Sequence, residues 1–387
     1  MDVSPCPHCQ PYEEYTHIDD YINSLVSPVL SAVFPTTSEH TTNWLWLKIL
    51  RALRIIGVVN FLSDPDRTKL YNRGLIFFDE AVRRGIDIRV VTIFGYYKDG
   101  DNLKLFSQLP CPPPAADSRI DNKAWTKRTL KDAGIPVSQG QSFFAKQSGL
   151  HWGHSIGYPL AVKPTHGSLS KHVTVNIENK NELNHAIDIA KQFSARYIVE
   201  KHLPGNLYRA TVVNRERVFV CQKRRPHVVG DGEHTIKQLI KSKNANDSRG
   251  HTKQKNTTLH VIDTDRARQF LTDTEYNLAS VPNLNEMVLL SNTYTLAAGC
   301  DIIGCTESVH EDNVLVFRQA ANTLSAGLVG FDFICPNITT SWKNQQCGII
   351  EANTKPYIDM HAHPSKGTAQ PVAEVMWNVL DYQNATM

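Results

Sequence analysis

A chain of 387 residues is long enough for two or three domains and a sizeable core. It is 41% hydrophobic and 20% charged, and its formal net charge of +3 is too small to mark a nucleic-acid or membrane partner. No apolar run approaches the roughly 20 residues that span a bilayer, and MDVSPCPHCQPYEEYTHIDD is too polar and acidic for a secretory signal, so a cytoplasmic protein is expected.

Cysteines 6, 9, 111, 221, 300, 305, 335 and 347 are scattered, unlike a disulfide framework, and several sit in apolar runs as small core residues do. Cys6-Pro-His-Cys9 has the spacing of a zinc half-site. No second C-x-x-C completes it, although His8 and His17 are near, and a mobile, metal-free N-terminus is the expectation.

NWLWLKILRALRIIGVVNFL (43–62) reads as a helix feeding a strand, and RTKLYNRGLIFFDEAVRRG (67–85) as a helix stopped by glycine. The β-branched IDIRVVTIF (86–94) reads as a second strand. Strand, helix, strand predicts a parallel, right-handed βαβ unit. LPCPPPAADSR (109–119), with four prolines, marks a linker. It divides an N-terminal α/β domain, 1–115, from a second domain, 116–387.

NKAWTKRTLKDAGIPVSQG (122–140) predicts a helix ended at Gly134, with Pro136 just beyond. YPLAVKPTHGSLSKHVTVNI (158–177) reads as strand, loop, strand. NKNELNHAIDIAKQFSARYIVEKHLPG (179–205) reads as a helix and a strand, and NLYRATVVNRERVFVCQKRRP (206–226) alternates like an antiparallel hairpin. VVGDGEHTIKQLIKSKN (228–244) places a Gly-Asp-Gly turn before a helix capped near His234 or Thr235. Residues 245–285 are polar and read as an insertion or helical excursion. The strand EMVLLS, the helix DNVLVFRQAANTLSAG and the strands VGFDFIC and GIIEAN close a mixed α/β chain with antiparallel sheets in its second part.

Side chains at i and i+2 of a strand share a face, so GIIEAN presents Glu351 and Asn353 side by side. By themselves they favour the plainer reading, a strand end facing water. GFDFI adds Asp332 on the preceding strand, and three hard oxygen donors suit Mg²⁺, which binds carboxylates together with substrate phosphates. Lys163, on the apolar strand AVKP, is costly there unless its ammonium meets an anion or snorkels at the strand end. The loop from His166 to His172 is small and basic, suited either to wrapping phosphates with backbone N–H groups or to an ordinary hairpin turn. YIVEKHLPG (197–205) runs an apolar strand through Glu200 into a Pro-Gly turn, a hinge that suits an adenine edge.

The blocks NKAWTKRTLKDAGIPVSQG, PLAVKPTHGS, VEKHLPGNLYR, HVVGDGEHTIKQLI with KSKNANDSRG, SVPNLNEMVLL and GIIEANTKPYIDMHAHPSKG occur in one order and spacing. Through them, residues 120–380 resemble the ATP-grasp superfamily of carboxylate–amine ligases, and within it the ATP-grasp domains of cyanophycin synthetase and bifunctional glutathione synthetase. The resemblance implies an α/β fold whose antiparallel sheets clasp a nucleotide, preceded by a smaller α/β domain. It implies ATP with Mg²⁺ or Mn²⁺, amino-acid or short-peptide substrates, and the homo-oligomers common among similar enzymes. Lys123 and Lys163 would contact the nucleotide, and Gly167, Ser168, Leu169 and Ser170 would form a lid over the γ-phosphate. Glu200, Lys201, His202 and Leu203 would be the hinge beside adenine, with Glu200 accepting from the exocyclic amine. Asp332, Glu351 and Asn353 would hold the metal. Lys163, Arg209 and Lys223 or Arg224 would serve the reaction centre, and His361, Pro364, Ser365 and Gly367 the substrate side.

Departures from the pattern are concentrated in a few places. Ser170 and His172 stand where glycines are expected, Leu207 replaces a ribose-binding acid, and Asn122 replaces Asp. Leu290 and Ser291 replace arginine and Cys305 replaces Asp on the substrate side, implying a substrate other than those of the two relatives. The alternatives to a ligase are a non-catalytic nucleotide-binding or regulatory protein, or a relative acting on another carboxylate such as D-alanine. Glu351→Gln and Lys163→Ala are both expected to abolish ADP formation and spare the fold.

Overall fold

A computed structural model describes residues 6–9, 16–22, 24–25, 49–50, 52–53, 55–91, 94–100, 102–114, 116–167, 170–251 and 257–382. The chain falls into two compact units. The first takes residues 1–37, 116–210 and 308–354, and the second takes 38–115, 211–307 and 355–387. No helix among the described residues is long and apolar enough to cross a membrane.

In the second unit, helix Asn72–Arg83 buries Leu75, Phe77, Phe78 and Ala81. The strands β1 (Ile88–Val91), β2 (Phe94–Asp99) and β3 (Asn102–Ser107) form an antiparallel meander. The expected parallel βαβ unit does not form, because Leu62 meets Val90 only through an antiparallel bridge. The local turn decides it. Val91 faces Phe94, so β1 turns back into β2 within IDIRVVTIF, Gly100 at φ +55 turns β2 into β3, and a strand paired with its sequence neighbour needs no crossover helix.

The first unit opens with helix Lys123–Asp132. Asn122 caps it, its side-chain oxygen accepting from the Ala124 and Trp125 N–H groups, both at 3.1 Å. Asparagine caps as well as aspartate, so this departure from the family pattern is neutral for the helix. Four strands follow: β4 (Gly140–Phe143), β5 (Leu160–Pro164), β6 (Thr174–Ile177) and β7 (Tyr197–Lys201). They make an antiparallel sheet in the order β4-β7-β5-β6. Helix Lys180–Phe193 lays Leu183, Ala186, Ile187 and Ala190, spaced for one helical face, on Leu160, Val162, Ile177, Tyr197 and Val199. Burying each large aliphatic there stabilises the unit by about 1.5–3 kcal/mol.

Strand β8 (Asn206–Val213) begins in the first unit and ends in the second. Asn214 and Arg215, at φ +51 and +60, turn the chain into β9 (Arg217–Arg224). Next come β10 (His227–Val229), helix Ile236–Asn244, β11 (Arg249–Gly250), β12 (Leu259–His260), β13 (Met287–Leu289) and β14 (Asp301–Gly304). β10 pairs with β13 and β9 with β14, both antiparallel. Thr235 caps the helix in a capping box with Gln238. Residues 245–285, of which 252–256 lie outside the described residues, hold a helix, as a helical excursion would. Their helix Thr264–Leu271 sends Ala267 and Leu271 into a core with Val228, Ile236, Ile240 and Val288.

The chain returns to the first unit with helix Glu311–Thr323, β15 (Leu328–Cys335) and β16 (Gly348–Asn353), β15 lying between β8 and β16. Phe317 packs on Phe331 and Phe333. Asp332 faces Glu351 across the strands and Gly330 faces Asn353, whereas Phe333 faces Ile349. Ile350 is therefore an extra residue, a β-bulge. In the second unit, Trp377 of helix Val372–Tyr382 stacks on Phe77 at 4.3 Å.

Candidate nucleotide and metal site

The β15–β16 pair brings the three expected metal donors to one face of the first unit. Residues directly opposite in an antiparallel pair share a face, and so do i and i+2 along one strand. Asp332 and Glu351 are opposite, Asn353 is two residues on, and Gly330 opposite Asn353 adds no side chain. Arg209 Nε donates to Asp332 Oδ1 at 2.7 Å, and Lys123 Nζ lies 3.6 Å from Glu351 Oε1. The donor set fits a divalent hard cation, being oxygen throughout. The Asn353 side-chain nitrogen supports the fit, for it is buried with no hydrogen-bond partner among the described residues. A half-turn of the amide exchanges its two ends and puts the oxygen in that place.

On the facing sheet, Lys163 is buried and does not snorkel. Its ammonium donates to the Ile350 carbonyl at 3.0 Å and lies 2.7 Å from Glu200 Oε1. The carbonyl it takes belongs to the bulged residue, whose ladder position is vacant. Lys127 Nζ holds the other Glu200 oxygen at 2.5 Å and also donates to Ser138. Burial alone would raise the Glu200 carboxyl, but Lys127 and Lys163 outweigh it and hold the group well below the usual carboxylate range. Burial pushes the Lys127 ammonium below the usual lysine range, opposed by Glu200.

Glu200 thus faces lysines. At the hinge, the Lys201 and His202 N–H groups donate to Gln139 and Pro159 carbonyls at 2.8 and 3.1 Å, and Leu203 is buried. The Lys201 ammonium donates to the Gly157 and Tyr158 carbonyls. Sequence reasoning missed Lys127 and Ser138. Lys127 carried a signal, since it lies four residues after Lys123 and so on the same helical face.

The expected lid is described at Gly167 and from Ser170 on; Ser168 and Leu169 lie outside the described residues. Gly167 has φ +103, a β-carbon there would sit 2.6 Å from the Phe193 ring, and its carbonyl accepts from Lys123 Nζ at 2.5 Å. Ser170 and His172 keep the left-handed backbone that glycine favours, at φ +60 and +53.

Lys223 and Arg224 belong to β9 of the second unit, opposite Ile302 and Asp301 of β14. Asp301 is held there by Lys243 at 2.6 Å and by Arg249. His361 bonds Thr211 at 2.8 Å, and Ser365 donates to the Ile302 carbonyl at 2.7 Å. Burial pushes the Cys305 thiol up to about 12, so it stays protonated at neutral pH.

No family model matches the chain. A cyanophycin synthetase of Crocosphaera subtropica is 31% identical over 265 residues, 67% of this chain and 30% of that protein. The bifunctional glutathione biosynthesis protein of Streptococcus agalactiae is 29% identical over 259 residues, 65% of this chain and 34% of its own length. The chain thus spans about a third of the curated relatives it matches. A solved bifunctional glutathione synthetase from Pasteurella multocida shares the fold, with a TM-score of 0.62 at 23% identity over 82% of this chain and 44% of that one. The chain belongs to the ATP-grasp superfamily. Its antiparallel sheets are those of an ATP-grasp protein.

Proposed function

We propose that this ATP-grasp protein is an ATP-dependent, ADP-forming carboxylate–amine ligase acting on an amino acid or short peptide. A carboxylate is a poor acyl donor, because oxide would have to leave. Transfer of the γ-phosphoryl group of ATP to it gives an acyl phosphate and ADP. An amine then displaces phosphate and forms the amide. Mg²⁺, or Mn²⁺ in its place, held by Asp332, Glu351 and Asn353, would screen the phosphate charges when bound.

The chain's own groups do the rest of the work. Lys163 and Lys123 place ammonium groups beside the donor row, where they oppose anion repulsion. Arg209, beside Asp332, is placed to steady the oxyanion that develops as the amide forms. A lid at Gly167 to Ser170 would keep water from the acyl phosphate. With the Glu200 side chain committed to Lys127 and Lys163, and the Lys201 and His202 N–H groups bonded within the sheet, the hinge would meet adenine through its remaining backbone groups. By the family resemblance, Lys223 or Arg224 would be a further cation for the substrate. Leu290, Ser291 and Cys305 point to a substrate unlike those of the two relatives. The cytosol suits a chain none of whose eight cysteines is in a disulfide, and neither a nucleic acid nor a membrane is needed as partner.

The observation that carries this reading is the cross-strand pair Asp332 and Glu351, with Asn353 on the same face, the buried Lys123 3.6 Å from Glu351, and Lys163 on the Ile350 carbonyl just before it. The test is ADP release from MgATP with a panel of amino acids and dipeptides. Release only when a carboxylate and an amine are both present is the expected result. Tight ATP binding without turnover under every pairing would instead identify a nucleotide-binding protein that keeps the fold.

A further inference from the structure

We propose a structural zinc site in the first unit, made by Cys6, Cys9, His17 and His172. The sequence offered half of it. Residues 6–9 form a single tight turn, the Cys9 N–H donating to the Cys6 carbonyl at 3.2 Å, so both thiols leave the same side. The imidazoles come from His17, just before a short helical stretch, and from His172, 166 residues beyond Cys6. The four candidate ligand atoms all lie within 4.8 Å of one another.

Three of the ligand spacings match the edges of a tetrahedron. An ion about 2.3 Å from sulfur and about 2.0–2.1 Å from nitrogen sets its ligands about 3.6 Å apart along sulfur–nitrogen edges and about 3.3 Å apart along the nitrogen–nitrogen edge. Cys6 Sγ lies 3.5 Å from His172 Nε2, Cys9 Sγ lies 3.7 Å from His17 Nε2, and the two Nε2 atoms are 3.1 Å apart. Two thiolates and two imidazoles select zinc among the common divalent ions, and four protein ligands close the coordination sphere. The outer shell is built as well. His172 Nδ1 donates to the Ile189 carbonyl at 2.7 Å, which turns Nε2 toward the cluster, and Phe193 packs on both imidazole rings. Cys9 and His172 are almost fully buried.

This site accounts for a histidine where the family pattern wants glycine. His172 holds a left-handed backbone because its ring is committed to the cluster, and its own N–H donates to the His8 carbonyl at 3.1 Å. Zinc therefore clips the N-terminal segment to the far end of the loop that begins at Gly167. The site is separate from the oxygen donors of β15 and β16 and stands whether or not the chain is a ligase.

Zinc is measured on the full-length chain by elemental analysis, and cobalt is substituted for spectroscopy. One zinc per chain is expected, with cobalt giving a thiolate charge-transfer band and the intense visible bands of a tetrahedral ion. Two thiols should become resistant to a thiol reagent when zinc is present and reactive again after chelation. Cys9→Ser and His172→Ala should each weaken zinc by more than the roughly 100-fold that outer-shell changes cost, and Cys347→Ser should leave it unchanged. An octahedral cobalt spectrum, a Cys6–Cys9 disulfide in protein purified under reducing conditions, or full zinc retention in both ligand variants would overturn the site. The wild-type cobalt spectrum decides the matter even if a variant fails to fold.

Discussion

Two carboxylates in the first unit show how similar sequence contexts reach opposite ends. Glu200 and Glu351 both sit near the end of an apolar strand, in YIVEK and GIIEAN. Glu200 is closed off: its side chain is 5% exposed, with an ammonium on each oxygen at 2.5 and 2.7 Å. Glu351 is open: its side chain is 25% exposed, and its lysine stands 3.6 Å away. A carboxylate already saturated by two cations has nothing left to give a ligand. One loosely matched on a half-buried face can exchange its partner for a metal or phosphate array. Glu200 therefore acts on stability and on the position of Lys163, and Glu351 acts on binding and turnover.

Glu200→Gln breaks the comparison most directly. It leaves Lys127 and Lys163 as two buried like charges, and breaking a buried pair costs about 3–5 kcal/mol. Urea denaturation should show that loss, and a stability within 1 kcal/mol of wild type would mean that the lysines find water. Glu351→Gln should hold its denaturation midpoint. Its ADP release should fall by about 100-fold or more, since a catalytic metal contributes several kcal/mol. Wild-type turnover in that variant would remove Glu351 from the donor row.

Lys163→Ala belongs between the two. The sequence suggests a change that spares the fold, but Lys163 touches Glu200 and the Ile350 carbonyl, so it should lose turnover and also about 1–3 kcal/mol of stability. Combining Lys127→Met with Glu200→Gln sharpens the contrast. The double variant should be less destabilised than the sum of the singles, by about 0.5–3 kcal/mol, as groups in one network are. Asn122→Ala, a cap rather than a charge, should cost only about 1 kcal/mol and leave ADP release per folded molecule unchanged.

Much of this was legible in the chain. The oxygen donors could be read because strand geometry has a period of two, and the lysine on AVKP because an apolar strand makes a cation conspicuous. The antiparallel order of the first strands was not read. IDIRVVTIF looks like one strand, yet the chain doubles back inside it, Val91 facing Phe94, and no Gly, Pro or Asn in that stretch signals the reversal. The commitment of Glu200 was hidden because its partners come from a helix and from a strand, Lys127 and Lys163, at different sequence distances. The N-terminal cysteines looked incomplete for the same reason: the histidine that completes them lies in a loop far along the chain, and no spacing rule connects the two.

The bulge at Ile350 gives its strand one carbonyl outside the regular ladder. Before it, Ile349 is in step with Phe333 and the core; after it, Glu351 and Asn353 are in step with Asp332. Without Ile350, residues 349 and 351 would be consecutive and would still alternate between the core and the donor face, so removing it keeps both faces and takes away only the carbonyl that Lys163 holds. Deleting residue 350 should therefore spare the side-chain faces and act on function through Lys163, while substitutions at 350, which keep its carbonyl, should be tolerated.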